Sequence, residues 1–338
     1  MHEVIGVLGA GSWGTALAVH LARTGRRVRL WCRREELARE LAAEGANNRY
    51  LPDVALPAEL EPTAELGRLA GCATVLVVVP SHGFREVVRR FLAAADGGPR
   101  PTLVSATKGV DSESLERMSE VTAAEAQRAG YEVDFAVVSG PTFAAELAAG
   151  VPSAAVVASA SAGVARRLQE LMSTASFRLY RSDDVVGVEL GGAAKNVIAI
   201  AAGVATGLGL GHNTLAALIT RGLHEMVRLG VASGGRAQTF SGLAGLGDLV
   251  LTCTGGLSRN RRTGIELAAG KSLEEIQGAT TMVAEGIRNS ASITRLAGRL
   301  GIELPITEQM MGIIAGDTSP QTAIHALMTR ALKAEAEL

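Results

Sequence analysis

The feature that most constrains this chain is a glycine run near its start. Gly9-Ala10-Gly11-Ser12-Trp13-Gly14 follows directly on Val4-Ile5-Gly6-Val7-Leu8, a nearly all-apolar run that reads as a parallel strand buried on both faces. After it come Trp13, Ala16, Leu17, His20 and Leu21 at helical spacing, with Gly25 as the stop. Strand, glycine turn and helix in that order form the context in which a G-x-G-x-x-G binds a dinucleotide. Gly9 permits the tight turn, Gly11 lets a pyrophosphate approach the backbone, and Gly14 lets helix and strand pack closely. The N–H groups and dipole of the helix start, at Ser12 and Trp13, then hold the phosphates.

The end of the second strand selects the nucleotide. Val28 to Cys32 reads as that strand, and Arg33 and Arg34 follow it. An Asp or Glu at this point binds a ribose 2′-hydroxyl, whereas an Arg accommodates a 2′-phosphate. Two cations therefore argue for NADPH, with NADH possible. Glu35 and Glu36 fall into the next helix.

Short apolar runs recur through the first half: Val75 to Val79 ended by Pro80, Leu103 to Ala106, Phe135 to Val138, Ala154 to Ala158 and Phe177 to Tyr180. Their alternation with helical patterns predicts a Rossmann-type doubly wound parallel sheet, with ligands at the carboxyl ends of its strands. From about residue 185 the pattern changes. Eight of the ten Pro lie at or before Pro152 and none falls between there and Pro305, which favours helices. Residues 196–220 carry no charge and read as buried helix. Gly207 to Asn213 would break a membrane span near its middle. Helical patterns continue over 214–229, 258–269, 281–300 and 319–335. The expected organisation is an α/β dinucleotide-binding domain over 1–185 and an all-α substrate-binding and catalytic domain over 186–338.

Of the 338 residues, 33 are Lys or Arg and 34 Asp or Glu, so the net charge of −1 offers no general attraction to nucleic acid or an anionic membrane. Three widely spaced Cys form neither a disulfide framework nor a C-x-x-C metal pattern, and the His show no metal spacing, so no metal is expected. Met1-His2-Glu3 lacks the basic start of a secretory signal. The expectation is a soluble cytoplasmic protein. Only four of the 33 cations are Lys: Lys108, Lys195, Lys271 and Lys333. An amine that can lose its proton is something Arg cannot replace.

Four segments carry polar groups in small, apolar surroundings: Ser105-Ala106-Thr107-Lys108-Gly109, Ser139-Gly140-Pro141-Thr142-Phe143-Ala144, Gly191-Gly192-Ala193-Ala194-Lys195-Asn196, and Gly245 to Arg262. With them the chain resembles the bacterial NAD(P)-dependent glycerol-3-phosphate dehydrogenases. The matching stretches are GAGSWG, NNRYLP at 47–52, VPSHGFR at 79–85, SATKG, SGPTFAAE, ELGGAAKN, GLAGLGDLVLTCTGGLSRNRRTG at 242–264 and VAEGI at 283–287. Cys32 stands where many relatives have Gly. The resemblance implies reduction of dihydroxyacetone phosphate to sn-glycerol 3-phosphate for phospholipid synthesis, by a cytoplasmic enzyme that is usually a homodimer.

Reduction of a ketone needs a proton donor that titrates near the working pH. Free Lys, near about 10.4, is too weak an acid. Lys195 has glycines and alanines before it and an uncharged stretch after it, and burial together with a second cation would lower its pKa. It is the expected general acid. Asp248 is expected to orient it, unless it merely caps a helix; Thr252 would support it and Asn196 anchor the substrate. Ser258, Arg259 and Asn260 offer a hydroxyl, a guanidinium and an amide to the substrate's phosphate. The resemblance implies that Lys108 joins Lys195 at the substrate. It also implies that Gly140, Thr142 and Ala144 line the junction of substrate and cofactor, and that Tyr50, Lys108, Ala144, Arg259, Val283 and Glu285 contact the cofactor. Cys253 has no base near it in sequence and is not expected to be a nucleophile.

Two other readings compete. A β-hydroxyacid dehydrogenase would share the two-domain plan and a Lys but needs a carboxylate clamp, with no reason for Ser258-Arg259-Asn260. A non-catalytic NADPH sensor would keep the fingerprint but need neither Lys195 nor Asp248.

Overall fold

Ile5, Val7 and Leu8 are wholly buried, as a strand covered on both faces requires. They belong to β1 (Ile5–Leu8) in a computed structural model that describes residues 3–95, 100–278, 285–332 and 334–335. The chain continues through α1 (Ser12–Ala22), β2 (Val28–Trp31), α2 (Glu35–Glu44) and a small hairpin of β3 (Ala46–Asn47) and β4 (Leu51–Ala55). Then come β5 (Leu60–Thr63), β6 (Thr74–Val77), α3 (Ser81–Ala94), β7 (Thr102–Ser105), α4 (Met118–Arg128) and β8 (Asp134–Ser139). α5 (Ala144–Ala148), β9 (Ser153–Ala158), α6 (Ala162–Met172) and β10 (Phe177–Ser182) follow.

The main sheet runs β10-β9-β8-β7-β6-β1-β2-β5. From β5 to β8 this is the 3-2-1-4-5-6 order of a dinucleotide-binding sheet, and it reverses between β1 and β6. Val75 and Val77 point into one core with Phe84, Val88 and Phe91, while Leu76 points into the other with Leu17, Leu21 and Leu30. Two features of the main sheet differ from the expectation. β5 was not anticipated; it contains Pro62, which an edge strand tolerates. β9 runs antiparallel to β8, and β10 parallel to β9. The five-residue α5 between β8 and β9 is too short to carry the chain back to the starting end of the sheet.

The chain divides into two compact units, Met1–Asp111 with Glu116–Val185, and Ser112–Leu115 with Val186–Leu338. The second begins with α7 (Val185–Gly207) and α8 (His212–Ala232). Next are α9 (Ala237–Phe240), a single π turn (Leu243–Gly247), α10 (Asp248–Thr254) and α11 (Arg259–Ala268). α12 (Leu273–Gly278), α13 (Glu285–Leu300), α14 (Pro305–Ala315) and α15 (Pro320–Met328) complete it. Arg295 and Arg299 of α13 donate to the carbonyls of Ser112, Glu113 and Ser114.

The uncharged stretch 196–220 is not one buried helix. α7 is buried from Gly187 to Ala205, then the chain turns through Gly209 at φ +71°. The first turn of α8 exposes His212, Asn213 and Thr214. Neutral side chains at that end satisfy water without charge, so lack of charge did not mean burial. Among the described residues α7 is the helix long and apolar enough to cross a membrane, and 89% of its most apolar window is buried within the protein.

Candidate active site

In the first unit the glycine turn is shaped by close approach. Gly9 has φ +116°, and a Cβ there would overlap the Val78 carbonyl just beyond β6; a Cβ at Gly14 would overlap the Gly9 carbonyl. At Gly11, by contrast, nothing lies within 4 Å of where a Cβ would stand. Gly11 caps α1 without any side-chain acceptor. Trp13 beside it has a buried Nε1–H with no hydrogen-bond partner among the described residues. Buried indole N–H groups usually have one. Open space over Gly11 and an orphan donor at the helix start fit the polar groups of a bound dinucleotide.

Beyond β2, Arg33 is exposed and has no acidic or other polar partner among the described residues. Arg34 donates to the Tyr50 hydroxyl at 3.2 Å. Both can meet a 2′-phosphate. The first unit also holds Lys108, whose Nζ donates to the Gly140 carbonyl at 3.3 Å, and Thr142, whose Oγ1 donates to the same oxygen at 3.3 Å. Thr107 fixes the turn before Lys108 by donating to the Val79 carbonyl at 2.7 Å. Ala144 opens α5.

The second unit holds the remaining predicted polar residues. Lys195 lies on α7 with 4% exposure, and Asp248 opens α10 with 1%. The Lys195 ammonium donates to Asp248 Oδ1, and to Thr252 Oγ1 at 2.8 Å. Thr252 Oγ1 in turn donates to the Asp248 carbonyl at 2.6 Å. Asp248 is not the helix cap: Gly247 holds that position, and the carboxylate turns to Lys195 instead. Desolvation alone opposes a charge on the amine, and a carboxylate in hydrogen-bond contact favours it.

Around the expected phosphate site, Ser258 caps α11 and its Oγ accepts from the Arg261 N–H at 3.2 Å, leaving its own proton to donate. Arg259 is exposed with no partner among the described residues. Asn260 is committed elsewhere. Its Nδ2 donates to Asn196 Oδ1 at 3.0 Å, and its Oδ1 accepts from Gly286 N at 3.0 Å. Glu285 opens α13, and Val283 lies outside the described residues. Cys253 is buried, and burial pushes its thiol up to about 12.

Two residues had no role in the sequence reading. Asn47 is wholly buried; its Nδ2 donates to the Ala10 carbonyl at 3.0 Å and to Thr15 Oγ1 at 2.8 Å, and its Oδ1 accepts from Tyr50 N at 3.2 Å. It ties the segment bearing Tyr50 to the glycine turn. Ser139 has a buried hydroxyl without a partner among the described residues, just before Gly140. Position within the matched stretches NNRYLP and SGPTFAAE was the signal available for both.

A sheet with this order and glycine turn, in one chain with a buried Lys–Asp–Thr cluster, defines a nicotinamide-nucleotide-dependent dehydrogenase. More narrowly, the chain belongs to the NAD-dependent glycerol-3-phosphate dehydrogenase family. The model of that family's N-terminus matches residues 4–165, and the model of its C-terminus residues 184–325. The chain is 49% identical over 337 residues to glycerol-3-phosphate dehydrogenase [NAD(P)+] of Syntrophotalea carbinolica, covering 98% of this chain and 99% of that one. The enzyme of the same name from Citrifermentans bemidjiense is 49% identical over 336 residues, covering 99% of each. Among solved structures, glycerol-3-phosphate dehydrogenase from Coxiella burnetii superposes with a TM-score of 0.93 at 44% identity, covering 97% of this chain and 99% of the other.

Proposed function

We propose that this chain reduces dihydroxyacetone phosphate to sn-glycerol 3-phosphate, reversibly, with Lys195 as the proton donor. The observation that carries the reading is the buried contact of the Lys195 ammonium with Asp248 and Thr252 in a member of this family. NADPH, when bound, supplies the hydride equivalent to the carbonyl carbon. The chain's own residues do the rest. Lys195 Nζ gives a proton to the carbonyl oxygen as negative charge develops there, and takes one back in the reverse direction. Asp248 stabilises the charged amine and, with Thr252, fixes its position. Ser258 and the Arg259 guanidinium, which has no partner among the described residues, hold the substrate's phosphate, Arg by two parallel N–H bonds. Lys108, Gly140, Thr142 and Asn196 complete the substrate contacts. Asn260 serves it through Asn196.

Gly9, Gly11, Ser12, Trp13 and Gly14 take the nucleotide's pyrophosphate, and Arg33 with Arg34 and Tyr50 its ribose phosphate. Lys108, Ala144 and Arg259 complete its contacts. The product supplies the backbone of phospholipids, and the enzyme works as a cytoplasmic homodimer.

NADPH absorbance followed with the pure protein tests this. Dihydroxyacetone phosphate should be turned over and unphosphorylated hydroxyacids should not. Turnover confined to hydroxyacids, or none at all, would sink the proposal. In the same assay kcat/KM should favour NADPH, and Arg33→Ala should lower it for NADPH by about tenfold, the worth of one charge-assisted contact, while sparing NADH.

A further inference from the structure

Asp248 reaches Lys195 because of how the π turn before it meets α7. In the turn the Gly247 N–H bonds to the Gly242 carbonyl five residues back, at 3.1 Å. A π turn holds one residue more than an α turn and rotates everything after it. It is wedged on both sides. On one side Phe240, wholly buried, packs on Gly230, and a Cβ at Gly245 would overlap the Phe240 carbonyl. On the other, a Cβ at Gly191 would stand 2.5 Å from the Ala244 carbonyl oxygen, far inside contact distance. Lys195 lies four residues after Gly191, and Asp248 four residues after Ala244. Residues four apart share a helix face one turn on. The backbone contact and the ion pair are therefore successive rungs between the same two segments.

The geometry points to Gly191 as a positioning residue for the reaction: its lack of a side chain lets the π turn seat on α7 at the level that places Asp248 on Lys195. This rests on the catalytic reading of Lys195 and Asp248. Any Cβ at 191 lifts the turn, and the carboxylate moves off the amine while the nucleotide and phosphate contacts stay in place.

The test is steady-state kinetics of Gly191→Ala with saturating NADPH. Misplacement on the ångström scale should lower kcat by roughly 10–100-fold and leave KM for dihydroxyacetone phosphate within about threefold. Gly207→Ala is the control; its Cβ would stand 2.6 Å from Ala268 Cβ, at the far end of α7. It should lower melting temperature comparably yet keep kcat within about threefold. Asp248→Glu should lower kcat alone but raise it in the Gly191→Ala background, because a longer carboxylate regains the amine. A folded Gly191→Ala enzyme with near-parental kcat, or equal kcat losses in the two Gly variants, overturns the inference.

Should Gly191→Ala fail to fold, Ala244→Gly loosens the same turn without adding an atom. A kcat loss with KM kept supports the inference, and an unchanged kcat overturns it. Lys195→Ala separates the two levels: if that variant stays active, the catalytic reading fails. If Lys195→Ala is inactive and Gly191→Ala is not, only the positioning role falls.

Discussion

Lys195 and Asp248 stand 53 residues apart in sequence and in direct hydrogen-bonded contact in the fold, both almost wholly buried. A buried ammonium without a partner costs several kcal/mol, and the carboxylate beside it offsets part of that cost. Thr252, one helical turn beyond Asp248, closes the cluster. The amine is thereby held in one place, which general acid catalysis requires before any question of acidity arises.

Lys195→Ala should lower kcat by roughly 10²–10⁴-fold, the usual worth of a positioned proton donor. The glycine turn lies in the other unit, so NADPH affinity, read by fluorescence titration, should change only a few-fold. A variant with near-parental kcat would remove Lys195 from the mechanism.

Arg259→Ala addresses the phosphate. Loss of a charge-assisted contact worth about 1.5–3 kcal/mol should weaken kcat/KM for dihydroxyacetone phosphate by roughly 10–150-fold. With NADPH saturating, so that any cofactor contact of Arg259 drops out, dihydroxyacetone, which lacks the phosphate, should be turned over as poorly by the variant as by the parent. Equal proportional losses on both substrates would refute the role.

A pH effect is expected at Glu125, far from these residues in sequence. Burial alone would push its carboxyl up, but hydrogen bonds from Arg89 and Arg85 at 3.0 Å each, with the charge of Arg128, outweigh it and hold the carboxyl below its ordinary range. A lowered folded pKa means stabilisation that is present above the unfolded value and lost as pH falls through the folded one. Glu125→Gln should therefore cost about 1–2 kcal/mol at neutral pH, discounted for the partly exposed guanidiniums. In thermal melts taken down through the acidic range, the gap between variant and parent should close. A gap that widens on acidification would be the wrong sign.

The thiols should be inert in the folded protein. Cys32, Cys72 and Cys253 are buried, and desolvation pushes them up to about 12, 11 and 12 respectively. Ellman's reagent at mildly alkaline pH should find no titratable thiol in the native enzyme and three after denaturation. Rapid native labelling of Cys253 accompanied by lost activity would reopen it as a reactive group.

Much of the fold was legible because its signals are local. Val75-Leu76-Val77 declares a strand buried on both faces, and Gly9 to Gly14 declares the turn that follows β1. Pro62 hid β5, since a proline argues against a strand unless the strand is at an edge, and the edge is known only once the sheet is assembled. The direction of β9 was likewise hidden, because residues alone do not state which neighbour a strand will choose.

The sequence by itself determined the nucleotide turn, the cations that follow β2, the change from alternating to helical pattern, and which residue types were chemically able to serve. Those depend on contacts within a few residues, where backbone geometry and side-chain type decide the outcome. Only the tertiary structure decided that Asp248 meets Lys195 rather than capping α10, that Asn260 is spent on Asn196 and Gly286, and that Asn47 ties Tyr50 to the glycine turn. Each of these is a polar group brought to a partner distant along the chain. Which partner it finds is set by how closely the helices and the glycine turn pack, and that is a property of the packed units rather than of any short stretch of sequence.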